Sequence, residues 1–200
     1  MRNEVPLARG DMATSTAATD PATAPRRQRA DARQNVGALL EAAKAVFAEA
    51  GVDAPVRAIA ERAGVGVGTL YRHFPLRSDL ISAVFRREID ECVAAADELQ
   101  AACPPGEALD RWVWRYTQFV AAKQGLAAAL HSGDPAYEPL RDYFDTHLAP
   151  TLERLLDAAT RSGDVRRPVD ASELLGAVAT LCHGRASERM VALLLAGLHA

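Results

Sequence analysis

The stretch VRAIAERAGVGVGTLYRHFP, residues 56–75, decides the fold. Its spacing predicts two short helices joined by a tight turn. Ile59, Ala60 and Ala63 recur on one face of the first helix, and Val65 with Leu70 face inward from the turn and the second helix. Ala60 is small where two helices must approach closely. Gly64 stands where the chain reverses, and glycine reaches positive φ without a Cβ clash. A turn of three or four residues sets the second helix across the first, which is how a second helix is carried into a DNA major groove. Thr69, Tyr71, Arg72 and His73 fall on the outward face, each with a hydrogen-bond donor for phosphates or base edges.

Helical periodicity continues on both sides of this stretch. Val36, Leu39, Leu40, Ala43, Val46 and Phe47 recur at three- and four-residue steps, predicting a helix over 33–50 that ends at Gly51. Residues 1–32 are rich in Ala, Thr, Pro and Arg without periodicity and are expected to be disordered. Their cluster Arg26, Arg27, Arg29 with Arg33 is either a solvated tail or an arm that follows DNA. After Pro75 a long helix is expected over 76–101, striped by Leu80, Ile81, Val84, Phe85, Ile89 and Cys92, and broken by Pro104, Pro105 and Gly106. Further helices are expected over 107–122, 125–132, 137–162, 171–183 and 186–198, with Pro150 kinking or restarting the third of these. Asp170 and Glu173 form a capping pattern for the fourth. The sum is an all-α chain of about nine helices. No alternating Val/Ile/Thr run with a hairpin turn suggests a sheet.

Composition narrows the function. The 200 residues carry a net charge of −3 and are 49% hydrophobic. The charge is asymmetric: residues 1–90 balance to +2 and 91–200 to −5. A basic end on an acidic body suits a protein that touches phosphate with one end. Cys92, Cys103 and Cys182 are widely spaced and form no CxxC or Cys/His cluster, so neither zinc nor any cofactor is implied, and they read as reduced thiols. No apolar run reaches the ~20 residues of a membrane span, and the N-terminus lacks a signal-like apolar region; a cytoplasmic protein without membrane contact is expected. The GVGVG run lacks the strand and spacing of a phosphate loop. His183, Ser187 and Glu188 sit in no nucleophile-elbow or HExxH pattern, and an enzyme is not expected.

The segment AGVGVGTLYRHFPLRSDL, with the helix before it, resembles the DNA-binding domain of the tetracycline-repressor (TetR) family over residues 33–90. Three departures stand out: Arg77 where lysine is usual, Pro55 where serine or threonine is common, and Gly66 and Gly68 opening the second motif helix. The resemblance implies a head over 33–78 and a ligand-binding, dimerising body over 79–200. It implies DNA contacts from Val67, Thr69, Tyr71, Arg72, His73 and Arg77. Tyr71, His73 and Arg77 are expected on phosphates, and Thr69 and Arg72 on base edges, where Arg can take guanine bidentately. Leu70 and Phe74 are expected in the core.

The resemblance also implies a small-molecule effector. Trp112, Trp114, Tyr116, Phe119, His131, Tyr137, Phe144, Cys182 and His183 are the candidates to line its pocket, expected between the 107–122 and 137–162 helices. Few are charged, so an apolar effector with one or two polar handles is expected. Trp114 faces away from the Leu109, Trp112, Val113, Tyr116 and Val120 stripe of its helix. The apolar surface of 171–198 is expected to form a homodimer, because residues 190–198 are apolar nearly all round. The implied function is a ligand-responsive regulator, most simply a repressor; a ligand-binding helical protein without operator binding is the other reading.

Overall fold

The computed structural model describes residues 24–124, 132–166, 169–183 and 187–199. Among these the chain is all-α: α1 (Ala24–Ala50), α2 (Val56–Arg62), α3 (Val67–His73), α4 (Arg77–Ala102), α5 (Pro105–Gln124), a 3₁₀ turn (Pro135–Tyr137), α6 (Glu138–Ser162), α7 (Ala171–Leu181) and α8 (Ser187–Leu198). That is eight α-helices against about nine expected. The ninth, over 125–132, lies almost wholly outside the described residues.

The chain divides into two compact units, residues 1–34 and 35–200. The boundary expected after residue 78 falls within the second. Helix α1 starts at Ala24 rather than Arg33, so residues 24–32, expected to be disordered, are helical. The run APRRQRADA holds no glycine, its Ala, Arg and Gln residues favour helix, and Pro25 falls in the first turn where a missing N–H costs nothing. Residues 1–23 lie outside the described residues.

Gly64 adopts φ 68°, and the turn closes with Gly64 N–H donating to the Glu61 carbonyl (3.1 Å) and Val65 N–H to that of Ala60 (3.0 Å). Ile59, Ala60 and Leu70 are buried against Leu39, Ala43 and Phe47 of α1 and Leu80 and Ile81 of α4 in one hydrophobic core. Helix α4 then continues into the body, where it packs on α5 and α6; α7 packs on α5, α6 and α8. Helix α6 runs unbroken through Pro150, so the proline does not restart it. Pro150 and Thr146, whose carbonyl loses a partner, are both exposed, which lets water meet the orphaned group. The Asp170 carboxylate caps α7 by accepting from Glu173 N–H at 2.8 Å. The last residues are fastened by Arg166 N–H donating to the Leu198 carbonyl at 3.1 Å.

Candidate nucleic-acid interface and effector cleft

Helix α3 presents the outward face its sequence predicts. Leu70 and Phe74 are buried, while Val67, Tyr71, Arg72 and His73 are exposed and Thr69 is half-buried. Tyr71 is 51% exposed. Among the described residues neither the Tyr71 hydroxyl nor the Arg72 guanidinium has a hydrogen-bond or ion-pair partner. The neighbouring arginines differ: Arg57 pairs with Glu61 at 2.8 Å, and Arg62 grips both oxygens of Glu49 at 2.8 Å. A Cβ at Gly66 or Gly68 would meet no described atom within 4 Å. Packing within the chain therefore does not require glycine there, whereas close approach of another backbone to this end of α3 would.

Arg77 makes contacts within the chain. Its Nη1 donates to the Val52 carbonyl and its Nη2 to the Ala54 carbonyl at 2.8 Å. Both forks hold the α1–α2 loop, which a lysine's single ammonium could not do in this geometry. Leu76, just after the proline, is 62% exposed beside α3. It lies between two helices, on neither apolar stripe.

In the body, the expected pocket residues do not gather in one place. Trp112 is fully buried, with Nε1 donating to the Cys92 carbonyl at 2.8 Å. Its ring stacks on Tyr116 (centroids 5.9 Å, planes 1° apart), Tyr116 on Phe119 (5.8 Å), and Phe119 on Phe144 (6.0 Å). The Tyr116 hydroxyl donates to the Leu175 carbonyl at 3.4 Å. These aromatics are the mortar between α4, α5, α6 and α7. Burial pushes the Tyr116 phenol up, and the Cys92 thiol up to about 11. That is the wrong direction for a reactive thiolate, so Cys92 belongs to the core.

A cleft of about 230 Å³ opens on the other side of α5, lined by Trp114, Thr117, Gln118, Ala121, Cys182, Ser187, Glu188 and Val191. Of the nine candidates, Trp114 and Cys182 line it. Tyr137 and Phe144 are half-buried elsewhere, His183 is exposed with Nδ1 2.7 Å from the Ala179 carbonyl, and His131 lies outside the described residues. Thr117, Gln118 and Ala121 were missed, although they sit three, four and seven residues after Trp114, on its face of the helix. The walls mix an indole and aliphatic carbons with hydroxyl, amide and carboxylate groups. The volume is a little below the about 300–1,000 Å³ of drug-sized sites, which suits a compact ligand. Among the described residues, no three His, Cys, Asp or Glu side chains gather as a metal would need.

Residues 39–84 match the family model for bacterial regulatory proteins of the tetR family, and residues 104–200 that for the C-terminal domain of SbtR-like transcriptional regulators. An HTH-type transcriptional regulator of Staphylococcus aureus is 43% identical over 63 residues, which are 31% of this chain and 34% of that protein. The chain thus covers about a third of the curated relatives it matches. Solved structures are similar over nearly their full length. A TetR transcription regulatory protein from Mycobacterium vanbaalenii is 37% identical with TM-score 0.70, over 86% of this chain and 99% of that one. A TetR transcriptional regulator from Streptomyces coelicolor is 35% identical with TM-score 0.69, over 82% and 98%.

Proposed function

Because this chain belongs to the TetR family of bacterial transcriptional regulators, and so is a DNA-binding helix-turn-helix regulator rather than an enzyme, we propose that it is a homodimeric repressor released from its operator by a compact effector. The observation that carries the DNA face is the outward, unpartnered pair Tyr71 and Arg72 on α3. Arg72 and Thr69 read base edges; Tyr71 and His73 take phosphates and set the register; Val67 makes apolar contact at the groove. Arg77 supports this surface from behind. The division of labour is the one expected from sequence, with a head over 33–78 and a body over 79–200.

The effector enters the cleft beside Trp114, which offers an apolar body to stack on and hydrogen-bonding groups at the rim. Cys182 and Val191 close its apolar side. The second copy packs on α8, where Met190 and Leu193 stand 43% and 57% exposed. Leu174, Leu175 and Val178, expected in that interface, are buried within the single chain, so the dimer patch is narrower than the whole 171–198 surface. Two heads then meet half-sites ~34 Å apart. An effector that binds better to a dimer with altered head spacing lowers operator affinity by that difference. No helix among the described residues is long and apolar enough to cross a membrane, and a chromosomal target places the protein in the cytoplasm.

Selection of DNA from a random pool by the purified protein tests the reading. A pseudopalindromic consensus is expected. Arg72→Ala should keep the site's outline and relax one position in each half, at a cost of about 1–3 kcal/mol for the preferred base. A pool that yields no enriched sequence would leave a ligand-binding helical protein.

A further inference from the structure

A run of ion pairs joins the cleft-lining helix to the DNA-binding head. Arg115, next to Trp114 on α5, donates from Nη2 to Glu91 Oε2 of α4 at 3.1 Å. The other Glu91 oxygen accepts from Arg87 Nε at 3.0 Å. Arg87 reaches across to α1, with Nη2 on Glu41 Oε1 at 2.6 Å and Nη1 on the Gly37 carbonyl at 3.2 Å. All three side-chain nitrogens of Arg87 and both oxygens of Glu91 are thus engaged. Alongside, Lys44 of α1 pairs at 2.5 Å with Glu88, whose carboxylate is buried and has its second oxygen unpartnered among the described residues. Further along α1, Glu49 is gripped by Arg62 of α2.

This arrangement is poorly suited to stability alone. Arg87, Glu91 and Arg115 are a quarter to a third exposed, where isolated pairs contribute little, and a half-satisfied buried carboxylate is a cost. It is well suited to fixing one register of α1 on α4, since a planar fork bonded through all three of its nitrogens to both helices holds them in one geometry. A shift of α5 at the cleft pulls first on Arg115.

We propose that Arg115, acting through Glu91 and Arg87, is a positioning residue for the DNA-binding head, so that displacement of α5 is passed to α1 by this run of ion pairs. The operator half of the proposal rests on the regulator reading above; the structural half does not.

The test uses the full chain as wild type, Arg115→Gln, Glu91→Gln, the double variant, Arg115→Lys, and Arg154→Gln as a control. The control removes another arginine pair to α4, with Asp97 at 3.1 Å. Backbone amide exchange over residues 37–50 is read first. Arg115→Gln should raise it about two- to tenfold, the double variant should add nothing to Glu91→Gln, Arg115→Lys should restore part of it, and Arg154→Gln should leave it unchanged. Exchange in α1 that is unaltered by Arg115→Gln, equally altered by the control, or additive in the double variant would overturn the proposal. Affinity for the selected DNA should show the same non-additivity. If the wild type selects no DNA, the regulator reading fails, while the exchange result still decides the run of ion pairs.

Discussion

The Arg77 guanidinium lies 2.8 Å from the Ala54 carbonyl oxygen, with its other fork on Val52, so a side chain expected on phosphate holds, within the chain, the loop that leads into α2. The two roles differ in salt dependence. Loss of a phosphate contact lowers the slope of log affinity against log salt by about one unit, whereas loss of a loop clamp weakens binding at every salt alike. Arg77→Ala should reduce operator affinity with the slope unchanged and should also lower the thermal midpoint. Arg77→Lys should fall between, since an ammonium cannot fork to both carbonyls. A slope reduced by one unit in Arg77→Ala, with an unchanged midpoint, would return the residue to the phosphate.

The head was legible in the sequence because local rules govern it. Gly64 needs positive φ, Ala60 needs to be small, and Leu70 must face the core, and each is a single-residue demand that survives into the fold. The hold of Arg77 on the α1–α2 loop was not legible, because its partners, Val52 and Ala54, are backbone carbonyls more than twenty residues earlier, which no side-chain pattern marks. The body was legible in its helices and less so in its site. Trp112 and Trp114 are both large aromatics, and only packing says which faces α4 and which a cleft. The departure of Trp114 from its helix's stripe was the usable signal. The cleft's other wall, from Cys182 to Val191, is assembled by helices some sixty residues away.

Those two tryptophans should separate experimentally. Trp112→Ala removes a fully buried ring and its hydrogen bond to Cys92, and should cost about 3–5 kcal/mol of stability. Trp114→Ala removes a half-buried wall of the cleft, and should leave unfolding and operator affinity within about 1 kcal/mol of wild type while blunting release by the effector. Chemical unfolding and operator titration with and without effector measure both. A Trp114→Ala protein that releases normally would place the effector elsewhere.

The C-terminus carries a pH-sensitive clamp. His199 Nε2 lies 2.8 and 2.9 Å from the two Asp110 oxygens, and Nδ1 lies 3.2 Å from the Asp164 carbonyl. Both ring nitrogens face acceptors, and only the imidazolium can donate from both. The hydrogen bond to Asp110 accordingly raises the His199 pKa above its ordinary value. A group raised on folding contributes stability that is fully present below its unfolded pKa of ~6.5 and is lost as pH rises through the higher folded value. Asp164, held below the usual carboxylate range by the Ser162 hydroxyl and Gly106 N–H, stays charged across that window. The thermal midpoint of wild type should therefore exceed that of His199→Gln at pH 5.5 and converge on it by pH 8.5. With the pair about a third exposed, the gap should be at most about 2–4 °C. A gap independent of pH would sink the clamp.

The proposed dimer turns on α8. Val191 and Leu195 of this helix are buried within the chain, and Met190 and Leu193 are not. Residues 190 and 193 are one turn apart on the same face, adjoining the half-buried Leu194. In the proposed dimer, the apolar stripe left outward on a helix whose inner stripe is already satisfied is covered by the same stripe on a second copy, by two-fold symmetry. Leu193→Glu puts two carboxylates against each other across that axis. It should give a folded monomer by sedimentation at micromolar concentration, with unfolding close to wild type, and should lose operator affinity because a single head meets only one half-site. Leu195→Glu places its charge in the subunit core and should fail to fold, which separates interface from interior. If wild type sediments as a folded monomer, or if Leu193→Glu remains dimeric, α8 is not the interface, and a mechanism built on the spacing of two heads would have to be rebuilt around another surface.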